Sequence, residues 1–135
     1  MDTPTSSNRF EPALTESDLN NRMFDTLSQN TIRKSKWAMD VFEKWFRNRQ
    51  NQGIINGLHV FKKLDEMSKS ELNSQLKFFV FEVRKQTGER YPSTSLRDLI
   101  QGIGYHYGSV LQKGYRIFSD PEFKDTLGSL NAAMI

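Results

Sequence analysis

From residue 31 onward the apolar residues recur on a helical period. Trp37, Ala38, Val41, Phe42 and Trp45 fall at i, i+1, i+4, i+5 and i+8, which predicts a helix over 31–50 with one apolar stripe. Gly53 and Gly57 mark a break, and Leu58-His59-Val60-Phe61 is compatible with either an extended stretch or a helical turn. Ser68-Lys69-Ser70-Glu71 is a capping-box pattern, with Ser at N-cap and Glu at N3. Leu72, Leu76, Phe79, Val80 and Val83 follow it as a stripe, so a second helix is expected from Ser68 to just before Gly88. Phe78 and Phe81 widen that stripe and predict a central helix contacted on two sides.

A third helix is expected after Tyr91-Pro92, with Ser93, Thr94 or Ser95 as its cap and Leu96, Leu99, Ile100, Ile103 and Tyr107 as its inner face. Gly102, Gly104 and Gly108 weaken it by about 1 kcal/mol each relative to Ala, a cost that close packing or a worn segment would explain. Asp120-Pro121 has the N-cap and N1 pattern of a last helix, carrying Phe123, Leu127, Leu130 and Met134 on one face.

Residues 1–30 differ. They are rich in Ser, Thr, Asn and Pro, and their few apolar side chains cannot offset the entropy of ordering the chain. The expected organisation is a disordered acidic segment over 1–30 and a helical domain over 31–135. Leu19, Met23, Phe24 and Leu27 allow a transient amphipathic helix within the first segment.

Charge sharpens this division. Overall the chain is +3, but residues 1–30 are −3 and the remainder is +6. Cys is absent and the two histidines, His59 and His106, stand far apart, so thiolate chemistry is excluded and no metal site or cofactor is expected. No apolar run approaches the ~20 residues of a membrane span, no signal-peptide layout opens the chain, and no membrane partner is expected.

The chain has no dinucleotide fingerprint and no Walker-type loop; Gly102-Ile103-Gly104 lies inside a helical pattern without a preceding strand. His106 reads as a surface or core-edge residue. Glu71 and Glu82 are eleven residues apart, ~16 Å by helical rise, too far for paired acid–base work. Trp37 and Trp45 share the apolar stripe and read as core. Among basic residues, Arg33, Lys34 and Lys36 fall at the expected start of the first helix, where cations oppose the helix dipole unless a phosphate binds there. Arg97 follows Ser93, Thr94 and Ser95 in a helix's first turns, and with Gln101 it suits phosphate or base-edge contacts.

In order along the chain stand Lys36-Trp37-Ala38, Val41-Phe42-Glu43-Lys44-Trp45 and Met67-Ser68-Lys69-Ser70-Glu71-Leu72-Asn73. Then come Phe79-Val80-Phe81-Glu82-Val83-Arg84-Lys85, Gly88, Tyr91-Pro92-Ser93-Thr94-Ser95-Leu96, Gly102-Ile103 and Asp120-Pro121-Glu122-Phe123. This series resembles the N-terminal helical domain of Crypton-type tyrosine recombinases, whose domesticated relatives include MYM-type zinc-finger proteins and glutamine-rich nuclear proteins. The resemblance covers about residues 31–135.

The resemblance implies an all-α, four- to five-helix, SAM-like core-binding bundle that clamps one side of duplex DNA. It nominates Ser93, Thr94, Arg97, Gln101 and Tyr105 on the DNA-facing helix, with Lys34, Lys36 and Arg116 on the phosphate backbone. Late in that helix, where the family has basic or aromatic positions, this chain has Gly104-Tyr105-His106-Tyr107-Gly108. Recombinase chemistry needs Arg and His residues and a nucleophilic Tyr in a following domain. Tyr115 is the last tyrosine here and Arg116 the only later arginine, so no catalysis is expected. The resulting expectation is a non-catalytic nuclear domain that binds double-stranded DNA with low specificity. Its rivals are a protein-interaction module of a nuclear regulatory complex and a truncated recombinase-derived product. Exposure of Phe78, Phe81 or Phe118 would favour a protein partner.

Overall fold

The computed structural model describes residues 9–52 and 63–133, and the side chains of all of these except residues 24–27. Among the described residues it is all-helical, without strands, and has four α-helices. They are α1 (Glu16–Asn51), α2 (Lys69–Glu82), α3 (Ser93–Tyr105) and α4 (Lys124–Ala133). Short 3-10 turns at Leu64–Glu66 and Pro121–Phe123 precede α2 and α4, and a π-turn, His106–Val110, extends α3. No described helix is long and apolar enough to cross a membrane. The Leu58–Phe61 stretch and Met134 lie outside the described residues.

The chain divides into two compact units, residues 1–30 and 31–135. In the first, α1 begins at Glu16, where composition had suggested a disordered segment. A reciprocal cap explains the start. The Asp18 N–H donates to Thr15 Oγ1 (3.1 Å), and the Thr15 N–H donates to Asp18 Oδ2 (3.3 Å). Arg22 donates to both carboxylate oxygens of Glu11, which lowers the Glu11 pKa. Among its described side chains Phe10, Leu14, Leu19 and Met23 are exposed.

The second unit holds the core. Ala38, Phe42, Trp45 and Phe46 of α1 are buried with Leu72, Leu76, Phe79 and Val80 of α2 and Leu96, Leu99, Ile100 and Ile103 of α3. Phe79 meets both Phe42 and Trp45 edge-on, at 5.2 and 5.3 Å between ring centres. The Ser68–Glu71 capping box forms as expected. Asn73, buried on α2, accepts from the Thr126 N–H (3.0 Å) and hydroxyl (2.8 Å), tying α2 to the first turn of α4. Asp120 caps the turn at Pro121 by accepting from the Glu122 N–H.

Three expectations change. Phe78 and Phe81 stand exposed on α2, which buries only its original stripe. Trp37 is 38% exposed, with its ring against Tyr91 instead of in the core. The N-cap of α3 is Pro92, which makes no side-chain cap, so Ser93, Thr94 and Ser95 are its first helical residues.

Candidate nucleic-acid interface

Two of the glycines in and after α3 explain how its surface is built. A Cβ on Gly102 would lie 2.8 Å from the Lys34 carbonyl oxygen and 2.6 Å from Ala38 Cβ, so the absence of a side chain lets α1 approach α3 closely. On another flank, a Cβ on Gly108 would lie 2.8 Å from the Tyr115 carbonyl oxygen, while Gly104 faces Ile117 at ordinary contact distance. Residues 115–118 therefore run back along α3 as a strap. Buried Ile117 anchors it, and the Ser119 and Asp120 N–H groups, both donating to the Arg116 carbonyl, turn it away.

Between α1 and this strap, Arg97, Gln101 and Tyr105 fall at i, i+4 and i+8 and form one ridge. Lys34 reaches it from α1, donating to Gln101 Oε1 (3.1 Å) and Asp98 Oδ1 (3.2 Å). From the strap side, Phe118 lies beneath Arg97, whose guanidinium carbon sits 4.9 Å from the ring centre. Arg97 and Arg116 are exposed, Gln101 and Tyr105 half-buried. Ser93 and Thr94 lie at the start of the same helix, where the N-cap residue Pro92 offers no side chain to the first-turn N–H groups. Of the eight nominated residues, Lys34, Arg97, Gln101 and Tyr105 share this ridge, Arg116 lies on the strap beside it, and Ser93 and Thr94 stand at the helix start.

Lys36 is the exception: it is exposed on α1 and lines a groove with Ile32, Met39, Glu43, His106 and Val110. The dipole argument for Arg33, Lys34 and Lys36 also falls, because α1 starts at Glu16 and these residues are interior to it. Sequence reasoning missed Asp98, the counter-ion of Lys34, which is 64 residues away and carries no local signal. It named Phe118 only as a residue whose exposure would favour a protein partner, not as the ring under Arg97.

The neighbouring polar groups belong to the scaffold. His106 Nε2 lies 2.9 Å from Asp65 Oδ1. The Tyr107 hydroxyl donates to the Leu64 carbonyl, and Tyr115 donates to the Met67 carbonyl (2.9 Å). Lys113 donates to the Asp65 and Met67 carbonyls and sits near both tyrosine rings. Burial first, then the charge of Asp65 and Tyr115, pushes the Tyr107 hydroxyl well above its ordinary pKa, so it stays a neutral donor. Among the described residues no group of three or more His, Cys, Asp or Glu side chains is placed to hold a metal ion.

These features define an all-helical domain with a cation-bearing ridge on its third helix. The chain belongs to the QRICH1 domain family, whose profile matches residues 32–135. No curated protein and no solved structure matches it.

Proposed function

We propose that residues 31–135 form a non-catalytic nuclear domain that binds duplex DNA, as the resemblance to recombinase core-binding domains implies. The observation that carries this reading is the convergence of Lys34, Arg97 and Gln101 on one ridge, with Arg116 on the strap alongside. Lysine and arginine there suit phosphates, and the open N–H groups at Ser93, Thr94 and Ser95 suit a phosphate oxygen. Arg97 and Gln101 are the side chains able to address a base edge, and with so few of them specificity is low. The test is binding of the full chain to a short duplex across a salt series. A slope of log K against log salt of about −4 or steeper, made shallower by Arg97→Ala, supports the reading. Absence of binding at low salt overturns it.

One observation favours the second reading, a protein-interaction module. Phe78 and Phe81 lie three residues apart and exposed on α2. If duplex binding fails, substitution of this pair by Ser is the test of a nuclear protein partner.

A further inference from the structure

We propose that Phe118 is a positioning residue for Arg97, and this inference rests on the DNA-binding reading. Phe118 is 37% exposed, although the buried Ile117 beside it shows that the strap has core contacts to offer. Its ring lies under the Arg97 guanidinium at 4.9 Å. Among the described residues no carboxylate pairs with Arg97, in contrast to Lys34, which Asp98 holds.

A guanidinium resting on a ring is restrained through its face. Its five N–H donors lie in its plane and stay available at the edge for phosphate oxygens. An aromatic ring is therefore a support that leaves the charge unspent, which a carboxylate cannot be. The support is itself fixed: Gly108 allows the strap to approach, Ile117 anchors it, and the turn from Arg116 to Asp120 ends it. The Lys69–Asp120 ion pair (2.6 Å) secures the far end of that turn.

The experiment is a double-mutant cycle on the full chain, read as affinity for a short DNA duplex at several salt concentrations. Phe118→Leu should weaken binding about two- to fivefold, the range of an exposed cation–π contact. Its salt slope should match that of the unaltered chain, because Arg97 keeps its charge. Arg97→Ala should weaken binding and make the slope shallower by about 0.9. Adding Phe118→Leu to Arg97→Ala should then change nothing, and Phe118→Tyr should preserve affinity. Equal losses from Phe118→Leu with and without Arg97 would show a general structural role and overturn the inference. So would weakening by Arg97→Ala with none by Phe118→Leu, an outcome that leaves the DNA-binding reading standing. If the unaltered chain does not bind at low salt, that reading fails first and this one with it.

Discussion

Arg49 and Arg97 both lie over aromatic rings, yet the chain uses them in opposite ways. Arg49, at the α1–α2 contact, is within 5.2 Å of the Trp45 ring centre and 4.7 Å of that of Phe78. Its side chain is only 8% exposed, and Nε and Nη2 donate to the two carboxylate oxygens of Glu82 at 2.9 and 2.7 Å. Trp45 Nε1 donates to the same carboxylate (3.0 Å). Among the described residues Arg97 has one ring, no carboxylate partner and an exposed side chain. A buried guanidinium must be paired within the fold, whereas an exposed one keeps its charge for an outside partner. Composition counts the two alike, so the 17 lysines and arginines of residues 31–135 overstate the cations available for binding.

The sharpest way to break this comparison is to remove the internal partner. Glu82→Gln leaves Arg49 buried without its counter-charge, and Nη1 of Arg49 is already buried without a hydrogen bond. Because Glu82 is partly exposed, the expected loss is about 2–3 kcal/mol rather than the upper figure for a fully buried pair. Urea unfolding measures it. Affinity for DNA, taken where the variant is still folded, should not change. A stability change below about 0.5 kcal/mol would show that Arg49 is no more committed to the fold than Arg97 is.

Gly102→Ala comes next. The new methyl would meet the Lys34 carbonyl and Ala38 Cβ, neither of which is the end of a flexible side chain. The expected cost is about 1–3 kcal/mol, as for overpacking of a tight contact. The same change displaces the backbone of Lys34 and should weaken DNA binding as well. Gly128→Ala on α4, where a Cβ meets nothing within 4 Å, is the control and should be neutral or slightly stabilising.

What the sequence made legible follows from range. Stripes and caps are local, and Leu96, Leu99, Ile100, Ile103 and Tyr107 are all buried as their spacing requires. Arg97, Gln101 and Tyr105 share a face by the same arithmetic. The failures are of two kinds. Trp37 satisfies the stripe but borders a groove with Tyr91, because a helical period fixes which side a residue faces and not what covers it. The pairings Lys34–Asp98, Arg49–Glu82 and Asn73–Thr126 span 64, 33 and 53 residues and have no periodic signature. Of the two readings of the glycines after Ile100, close packing holds at Gly102 and Gly108, though which segments approach them, α1 and the strap, was not legible.

A smaller test concerns pH and the strap. The Lys69 ammonium, through its hydrogen bond, and the Glu122 N–H hold the Asp120 carboxyl below its ordinary pKa. Asp120 pulls Lys69 upward in turn. A depressed carboxyl contributes stability that is present above its unfolded value, near 3.9, and lost as pH falls through the folded one. The raised ammonium contributes stability that is lost only above its ordinary range, near 10.5. Thermal melts should therefore show a loss in acid that Asp120→Asn diminishes, since Asn retains the cap but not the charge. An acid limb unchanged in Asp120→Asn would mean that the strap's end does not depend on this pair.

The smallest expected effect separates the two cations of the ridge itself. Lys34 is shared between Gln101 and Asp98, so part of its charge is answered internally, while that of Arg97 is not. Asp98→Asn removes one negative charge from the ridge and leaves Lys34 with neutral acceptors. Its fold should change by no more than about 0.5 kcal/mol, because the pair is partly exposed and such bridges contribute little. DNA affinity should nevertheless rise, most at low salt, where a charge about a Debye length from phosphate is least screened. The gain should disappear when Lys34→Ala is added if Asp98 acts by occupying Lys34. It should persist if Asp98 acts by repelling the phosphates directly. Either result ranks the ridge cations by how much of their charge the fold has already used, as Arg49 and Arg97 are ranked.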